Sequence, residues 1–257
     1  MLKISTITST LNAEKDIDEF VHKFSLQKYK FKELVVVDGG SADSTYKKLK
    51  KLKKRFNFLR VFKKNKSTIY EALNYGIKKS NSNIINILGS DDSFINNNLF
   101  KKINKMFNKK KIKFIYGNCF YEKNNKIIRI YSKKKFSIFS LDWGFMPAHT
   151  TLFVEKKIYK TLNYYSTNYK FASDFEFCLK LFQTKNIKYF YYNNYMVSMK
   201  SGGVSNSSLK NIIKSNIEVF HILNNYNKKL IIPKIIYKLL YKFVNVISYK
   251  FLSFFKN

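Results

Sequence analysis

Short apolar runs alternate with amphipathic segments along the first hundred residues. Four runs rich in β-branched and aromatic residues are predicted to be strands: KISTI (3–7), ELVVV (33–37), FLRVF (58–62) and NIINIL (83–88). The second and fourth are apolar enough to be buried on both faces, as in a parallel sheet. Because helical patterns lie between them, the order βαβαβαβ predicts an α/β fold with a mainly parallel, doubly wound sheet flanked by helices.

Three helices are predicted between these strands. The first follows Asn12, a candidate N-cap, and acidic residues crowd its first turns, where negative charge suits the helix dipole. Phe20, Val21 and Phe24 supply its buried stripe. The second helix is predicted over about residues 44–54 and the third over about residues 69–79.

Acidic side chains follow two of the predicted strands: Asp38 and Asp43 after the second, Asp91 and Asp92 after the fourth. Ligands of doubly wound sheets bind beyond these carboxyl ends. Two adjacent carboxylates repel unless a cation lies between them, and a divalent ion that brings diphosphate oxygens needs only one or two protein carboxylates. The pair therefore indicates a nucleotide diphosphate held with Mn²⁺ or Mg²⁺. Alternatively, the two acids share with Ser93 and residues 96–98 the capping of the next helix.

The net charge of +33 first suggests a polyanionic partner. Only three of the 49 basic residues are arginines, however, and Asn, Ile, Phe and Tyr are abundant, as AT-rich codons dictate. Because arginine is the usual reader of phosphates and bases, this composition argues against nucleic acid as a partner. A basic nucleic-acid-binding protein without catalytic activity is the alternative.

Two features indicate the compartment and the organisation of the chain. The two cysteines, Cys119 and Cys178, lack the spacing of a zinc site or a disulfide framework, and the N-terminal residues read as a strand and not as a signal peptide, so the cytoplasm is predicted. A hairpin is predicted where residues 119–122 and 127–130 flank Asn124 and Asn125. We expect one domain over residues 1–227, with halves of about 1–115 and 116–227, followed by a distinct segment over residues 228–257.

This C-terminal segment is apolar and aromatic but interrupted by lysines. The lysines break the roughly 20 apolar residues that a membrane-spanning helix needs. Pro233 stands where a helix could begin. One side of that helix would carry Lys234, Lys238 and Lys242, and the other Ile235, Ile236, Leu239, Leu240 and Phe243. The segment is predicted to lie on an anionic membrane surface; the alternative is that it packs on protein.

Four ordered blocks carry a resemblance to a known family: ITSTLNAEKDI, VVVDGGSADST, KSTIYEALNYGIKKS and NILGSDDSF. Together they resemble the family 2 glycosyltransferases, which have the GT-A fold, over about residues 3–205. The resemblance implies that the loop after the first strand, with Ser9, Thr10 and Asn12, contacts the nucleotide, as does Asp38. It also implies that Asp92 binds the metal that holds the diphosphate, and that Asp91 faces the ribose or the metal.

One block departs from the family pattern. Many relatives have Asp-Asp-Gly-Ser after the second strand, whereas this chain has Asp38-Gly39-Gly40-Ser41, so a carboxylate contact to the base is not implied here. The block STIYEALNYGI resembles a branch of the family in which this stretch lines the donor pocket, which implies roles for Tyr70, Glu71 and Asn74. A Rossmann oxidoreductase, suggested by VVVDGGS, would need G-x-G-x-x-G after the first strand, and the chain lacks it.

The stretch YKFASDFEFCLKLF, residues 169–182, is predicted to form a largely buried helix with Ser173 as a candidate cap. The family resemblance implies that Asp174 is the catalytic base, and Glu176 is the alternative carboxylate. It also implies that His149 lies near the diphosphate and the acceptor. The loop residues 202–205 resemble a flexible loop near the donor.

The resemblance implies an inverting, metal-dependent glycosyltransferase that moves a hexosyl or N-acetylhexosaminyl group. The expected donor is a nucleotide sugar, a UDP-sugar first among them, and the expected acceptor is a glycan or a polyprenyl-linked glycan. The expected pathway is bacterial surface polysaccharide synthesis, of capsule, O-antigen or lipooligosaccharide. We expect the protein at the cytoplasmic face of the plasma membrane, with no nucleic-acid partner.

Overall fold

The computed structural model describes residues 1–124, 126–131, 136–200 and 208–254. The strands are β1 (Ile4–Thr10), β2 (Lys32–Asp38), β3 (Leu59–Lys63), β4 (Ile84–Ile87), β5 (Ser93–Phe94), β6 (Phe114–Lys123), β7 (Lys126–Tyr131), β8 (Phe153–Glu155) and β9 (Tyr189–Lys200). The helices are α1 (Ile17–Ser25), α2 (Thr45–Arg55), α3 (Ile69–Lys79), α4 (Leu99–Lys110), α5 (Ile138–Asp142), α6 (Lys156–Thr161), α7 (Ser173–Gln183), α8 (Leu209–Asn225) and α9 (Ile231–Phe254).

One sheet runs through the domain in the order β3-β2-β1-β4-β8-β6-β9-β5, with β7 paired to β6. The first four of these strands are parallel, as the βαβ pattern predicts. Beyond them β8 is antiparallel to both β4 and β6, whereas β6 and β9 are parallel. The prediction of a mainly parallel α/β sheet flanked by helices is confirmed, and antiparallel pairs are confined to its second half.

Helices cover both faces of the sheet, and alternate residues of the parallel strands are buried on opposite faces. Val35 and Val37 pack with α3 and α7, whereas Leu34 and Val36 pack with α1, α2 and α4. Helix α3 lies unusually close to the sheet: a Cβ at Gly76 would stand 2.5 Å from Ile7 Cγ2. Glycine is therefore needed there, and the close packing fixes the height of α3 above the strands.

The four predicted strands and the second and third helices are confirmed, but the start of the first helix was predicted wrongly. Helix α1 begins at Ile17, and Asn12 is not its cap. Asn12 instead has a φ of 53°, a left-handed conformation that asparagine tolerates better than most residues, and it lies in the loop after β1. Its side chain bonds across to the neighbouring loop and is thus unavailable to the helix.

The capping alternative for Asp91 and Asp92 is also wrong. The chain after the two acids forms the short strand β5, which pairs with β9, and α4 begins only at Leu99. Asn98 stands at the N-cap position, and its backbone N–H donates to Asn96 Oδ1. The two carboxylates are therefore left for another role.

The predicted hairpin is present as β6 and β7, which pair antiparallel with Tyr121 opposite Arg129. Asn124 has a φ of 51°, as a tight turn requires, and Asn125 lies outside the described residues.

A side-chain amide links the parallel strands to the segment that leads into β8. The buried amide of Asn86 on β4 donates to the carbonyl oxygens of Thr150 and Leu152.

The C-terminal segment forms α9, with Pro233 in its first turn, where a missing N–H is tolerated. Its orientation differs from the predicted one. Lys238 is buried against Gly144, and Lys234 lies over the ring of Trp143, so this part of the lysine row faces the domain. The side chains of Lys242 and Phe243 are outside the described part. Among the described residues, no helix combines the length and apolar character needed to cross a bilayer.

Candidate active site

The loops that follow β1 and β2 are bound to each other at the carboxyl edge of the sheet. The Asn12 N–H donates to Ser41 Oγ at 2.9 Å, and the Ala42 N–H donates to Asn12 Oδ1 at 2.9 Å. A further bond runs from the Ala13 N–H to Thr45 Oγ1 at 2.8 Å. Asn12 therefore ties the two loops together at this edge of the sheet.

Of the other predicted nucleotide contacts on these strands, Ser9 is half-buried and Thr10 is buried. The Thr10 hydroxyl has no hydrogen-bond partner in the described part of the chain. The Asp38 carboxylate is fully enclosed and accepts the N–H groups of Gly40 and Ser41, each at 3.1 Å. As the loop stands, a ligand would meet the glycine turn and not the Asp38 carboxylate, which shapes that turn from within.

The carboxylates of Asp91 and Asp92 converge over Gly89. A Cβ on Gly89 would lie 2.8 Å from Asp92 Oδ2 and 2.9 Å from Asp91 Oδ1, so both oxygens lie close to the same point and a larger residue there would displace them. The remaining Asp92 oxygen accepts the backbone N–H of Lys200 at 3.2 Å. The Lys200 ammonium lies 2.6 Å from Asp16 Oδ1, beside the pair.

Without a cation, the ionised forms of Asp91 and Asp92 are disfavoured. Burial, together with the neighbouring Asp91 charge, raises the pKa of Asp92 to about 7, and burial also raises the pKa of Asp91. A divalent cation would relieve both effects. The described residues contain no cluster of three or more His, Cys, Asp or Glu side chains that could hold a metal. Two carboxylates could hold a divalent ion only together with ligands from elsewhere, such as diphosphate oxygens and water.

The raised pKa of Asp92 makes the stability of the folded protein depend on pH. Asp92 holds its proton up to about pH 7 when folded, against an ordinary value of 3.8. The folded state thus binds more protons between these values, and the stability of the metal-free protein falls as the pH rises from about 4 to 7.

Asp92→Asn removes this loss, because the amide mimics the protonated acid. In EDTA we expect the variant to exceed the wild-type protein in unfolding free energy by up to about 4 kcal/mol at pH 8, and by less at pH 5. Urea unfolding at both pH values measures the difference. An advantage that is equal at pH 5 and pH 8 would contradict the burial of an ionised Asp92.

Asp174 lies at the second position of α7 and is held by two side chains from other elements. Its Oδ1 accepts the Tyr70 hydroxyl at 3.2 Å, and the same hydroxyl lies 3.4 Å from the Asp174 N–H, which donates to it. Its Oδ2 lies 3.3 Å from Nδ1 of His149, which lies in the segment that leads into β8. Tyr70 and His149 therefore fix both the backbone and the carboxylate of Asp174.

Tyr70, Glu71 and Asn74 all lie on α3, but their side chains bond different parts of the molecule. Burial, with the nearby Asp174 charge, raises the pKa of the Tyr70 hydroxyl well above its ordinary value, so this group is a proton donor to Asp174. The Glu71 carboxylate accepts the Thr68 N–H in a capping box that starts α3. Both ends of the Asn74 amide bond the backbone of Tyr165. The structure thus brings Tyr70 to Asp174 and engages the other two within the fold.

The start of α7 is stabilised differently from the prediction. Ser173 is the first helical residue and donates to the Ser166 carbonyl oxygen, so it is not the cap. Glu218 of α8 instead accepts the N–H groups of Phe171 at 2.7 Å and Ala172 at 2.8 Å. Glu176, the alternative carboxylate, is buried and pairs with Lys180 at 3.2 Å.

Tyr121, Arg129 and Lys200 are site residues that sequence reasoning missed. The Tyr121 hydroxyl has a pKa raised to about 12, chiefly by burial, and it feels the charges of both Asp92 and Asp174. The Arg129 guanidinium lies 5.4 Å from the Tyr121 ring centre. All acidic residues of the chain are described, and none lies within ion-pair distance of Arg129. The loop residues 202–205 fall outside the described residues.

Similarity to known proteins agrees with this geometry. The sequence profile of glycosyl transferase family 2 matches residues 5–177. A protein of Haemophilus influenzae, named an uncharacterized glycosyltransferase, is 28% identical over 251 residues, which cover 96% of this chain and 98% of that protein. A dolichyl N-acetyl-alpha-D-glucosaminyl phosphate 3-beta-D-2,3-diacetamido-2,3-dideoxy-beta-D-glucuronosyltransferase of Methanococcus voltae is 31% identical over 112 residues, or 40% of this chain and 35% of that one.

Solved structures share the fold. S. aureus TarS 1–349 in complex with UDP-GlcNAc superposes with a TM-score of 0.68 at 18% identity, over 86% of this chain and 66% of TarS 1–349. The mannosyltransferase PcManGT of Pyrobaculum calidifontis, in complex with GDP-Man and Mn²⁺, gives a TM-score of 0.65 at 13% identity, over 86% of this chain and 64% of that one. The chain thus spans about two thirds of the length of these structures. It belongs to glycosyl transferase family 2 and is a glycosyltransferase with the GT-A fold.

Proposed function

We propose that this glycosyltransferase is inverting and metal-dependent, and that it moves a hexosyl or N-acetylhexosaminyl group from a UDP-sugar. The observation that carries the proposal is that two separately held carboxylates act on one residue. The charges of Asp92 and Asp174 both raise the pKa of the Tyr121 hydroxyl, and the two carboxylates have different partners: Asp92 accepts the Lys200 N–H, and Asp174 accepts the Tyr70 hydroxyl. A metal-assisted leaving group and a separate base need such a division.

Asp91 and Asp92 would hold Mn²⁺ or Mg²⁺ through their convergent oxygens over Gly89. When bound, the ion neutralises charge that develops on the leaving diphosphate. The loops after β1 and β2, braced by Asn12, would receive the nucleotide at the carboxyl edge of the sheet. Complexes of TarS with UDP and of PcManGT with Mn²⁺ support this assignment by analogy of fold.

Asp174 would take the proton of the acceptor hydroxyl while that oxygen attacks the anomeric carbon opposite the diphosphate. Its Oδ1 is occupied by Tyr70 and by the Phe175 N–H at 2.9 Å, whereas Oδ2 faces only His149 among the contacts described. Oδ2 is therefore the oxygen placed to accept the proton. His149, about one third exposed, lies where an acceptor could reach it.

The acceptor is proposed to be a glycan or a polyprenyl-linked glycan of a bacterial surface polysaccharide, such as capsule, O-antigen or lipooligosaccharide. Arg129 supports a phosphate-bearing acceptor, because its planar guanidinium lies over the Tyr121 ring and pairs with no carboxylate in the described part of the chain. The Methanococcus voltae relative is named for a dolichyl-linked phosphate substrate. Because such a lipid lies in the membrane, we propose that the enzyme works at the cytoplasmic face of the plasma membrane.

A donor screen tests the proposed function. Purified protein with Mn²⁺ is offered UDP-, GDP- and CMP-sugars, and release of free nucleotide is followed. We expect release from one UDP-hexose or UDP-N-acetylhexosamine and none in excess EDTA. Release from a GDP- or CMP-sugar alone would overturn the choice of nucleotide. Salt-sensitive binding of DNA or RNA, without release from any nucleotide sugar, would favour the basic nucleic-acid-binding alternative.

Tyr70→Phe tests how Asp174 is positioned. The variant keeps the buried ring and removes the hydroxyl that bonds both the N–H and the carboxylate of Asp174. A hydrogen bond to a charged group contributes about 1.5 to 3 kcal/mol, so we expect kcat to fall by roughly 10- to 100-fold. The KM for the donor should change by less than about threefold, because the metal pair is untouched. Equal losses in donor affinity and kcat would place Tyr70 in the donor pocket instead.

A further inference from the structure

Helices α8 and α9 pack against each other and expose apolar side chains on their outer side. Two come from α8 and four from α9, and we refer to them as the α8–α9 face: Ile213, Ile217, Ile232, Ile236, Leu239 and Leu240. Each is between 38% and 62% exposed. Ile213 and Ile217 are four residues apart, as are Ile232 and Ile236, so each pair lies on one side of its helix. The groove between the helices exposes only apolar atoms.

The protein interior does not need this face. Helix α8 already buries Val219, Ile222 and Leu223 in the core, and α9 buries Ile231 and Lys238. A helix on the surface of a globular domain ordinarily has one apolar stripe, and here each helix has a second. Contiguous exposed apolar side chains of this kind mark a surface that is covered by a partner.

The charges around the face favour one kind of partner. Residues 208–254 contain eight lysines and a single acidic residue, Glu218. The Glu218 carboxylate is turned to the N–H groups before α7, so it does not offset the lysines at the surface. Lys210 and Lys214 are exposed one turn apart on α8, beside Ile213. A second copy of a chain with a net charge of +33 would bring like charges together, whereas an anionic bilayer offers both apolar depth and negative charge.

We propose that the α8–α9 face docks into the interface of an anionic lipid bilayer. Its apolar side chains enter the boundary between head groups and acyl chains, and the lysines remain at the level of the phosphates. The docking surface is not the one that the sequence predicted, which was the side of α9 opposite Lys234, Lys238 and Lys242. Lys238 faces the domain, and the exposed apolar side chains come from both helices. The two helices therefore lie along the membrane as a pair.

Docking would place the membrane close to the segment that carries Asp174. Glu218 of α8 binds the backbone just before α7, and the Lys238 ammonium of α9 lies 6.0 Å from the ring centre of Phe175. A lipid-linked acceptor would thus meet the enzyme on the side of its base. This last consequence rests on the proposed function, whereas docking itself does not.

Flotation with lipid vesicles tests the docking surface. The full chain is mixed with vesicles of phosphatidylcholine and phosphatidylglycerol, or of phosphatidylcholine alone, and centrifuged on a density gradient. We expect the wild-type protein to float with the anionic vesicles, and Ile213→Asp/Ile236→Asp to lose at least tenfold in partitioning. Leu26→Asp is the matched control, because Leu26 is similarly exposed but follows α1 on the other face of the sheet, and it should float.

Further measurements check that the variants are folded and test whether the face binds a second copy of the chain. Circular dichroism and UDP binding confirm that each variant is folded; if the double aspartate variant is not, Lys210→Gln/Lys214→Gln replaces it and should weaken binding to anionic vesicles alone. A wild-type protein that stays at the bottom of the gradient, or a folded Ile213→Asp/Ile236→Asp variant that floats as well as the wild type, would overturn the proposal. Light scattering that shows a dimer broken by the aspartates, with no vesicle binding, would assign the face to a second copy and also overturn it.

Discussion

Asp174→Asn should lower the rate of sugar transfer by about 100- to 10,000-fold, because the amide keeps the shape of the carboxylate and cannot accept the acceptor's proton. Binding of UDP should change little, since Asp174 contacts Tyr70, His149 and the start of α7 and not the Asp91–Asp92 pair. Steady-state rates with the donor found by the screen, and UDP titrations, measure both quantities.

Glu176→Gln is the matched control for this base. Glu176 is two residues further along α7, is buried, and pairs with Lys180 on the same helix, so the substitution changes the charge of α7 equally without touching the Tyr70 contact. We expect Glu176→Gln to retain transfer within a few-fold of the wild-type rate. A mild Asp174→Asn together with a crippling Glu176→Gln would show that the proton goes to the other carboxylate. Loss in His149→Gln with a fully active Asp174→Asn would assign it to the imidazole.

Asp92→Ala should abolish nucleotide release from the donor, with a loss on the order of 1,000-fold or more, because half of the convergent carboxylate pair over Gly89 is removed. The variant should remain folded, since Asp92 is buried with a raised pKa and its ionised form does not stabilise the metal-free protein. Rates in Mn²⁺ and in excess EDTA measure the effect.

Asp18→Asn is the control for the loss of one negative charge outside the Asp91–Asp92 pair. Asp18 lies on α1 and pairs with Lys48 at 2.7 Å; about half of the Asp18 side chain and somewhat over a third of the Lys48 side chain are exposed. An exposed ion pair of this kind contributes at most about 1 kcal/mol, so activity should be unchanged. Full activity of Asp92→Ala, or full activity of the wild-type protein in EDTA, would contradict a metal held by this pair.

The parallel half of the fold could be predicted from the sequence because its signals are local. Each strand is a short apolar run and each helix has its own periodicity, so residues 69–79 were predicted as a helix at the observed bounds of α3. The start of α1 could not be predicted in this way. Asn12 has the composition of a cap but bonds Ser41 and Ala42 on the neighbouring loop, and such a contact depends on how two loops meet in space.

The same distinction applies to the site. Asp91, Asp92 and Asp174 stand in recognisable blocks, but the groups that hold them come from distant parts of the chain. Lys200 bonds Asp92 across 108 residues, and Tyr70 bonds Asp174 across 104 residues. Arg129 is placed by a hairpin register that brings it opposite Tyr121. No pattern near any of these residues indicates the contact, since each depends on strand order and on the packing of α3 and α7.

Calorimetric titration with UDP, in the presence and absence of Mn²⁺, distinguishes a metal-binding carboxylate pair from a separate base. We expect the wild-type protein and Asp174→Asn to bind UDP with similar affinity in Mn²⁺ and at least tenfold more weakly in EDTA, and Asp92→Ala to bind weakly in both. This pattern separates the metal-binding pair from the base without requiring the acceptor. UDP binding that is equal with and without Mn²⁺, or unaffected by Asp92→Ala, would contradict a metal-binding role for the pair.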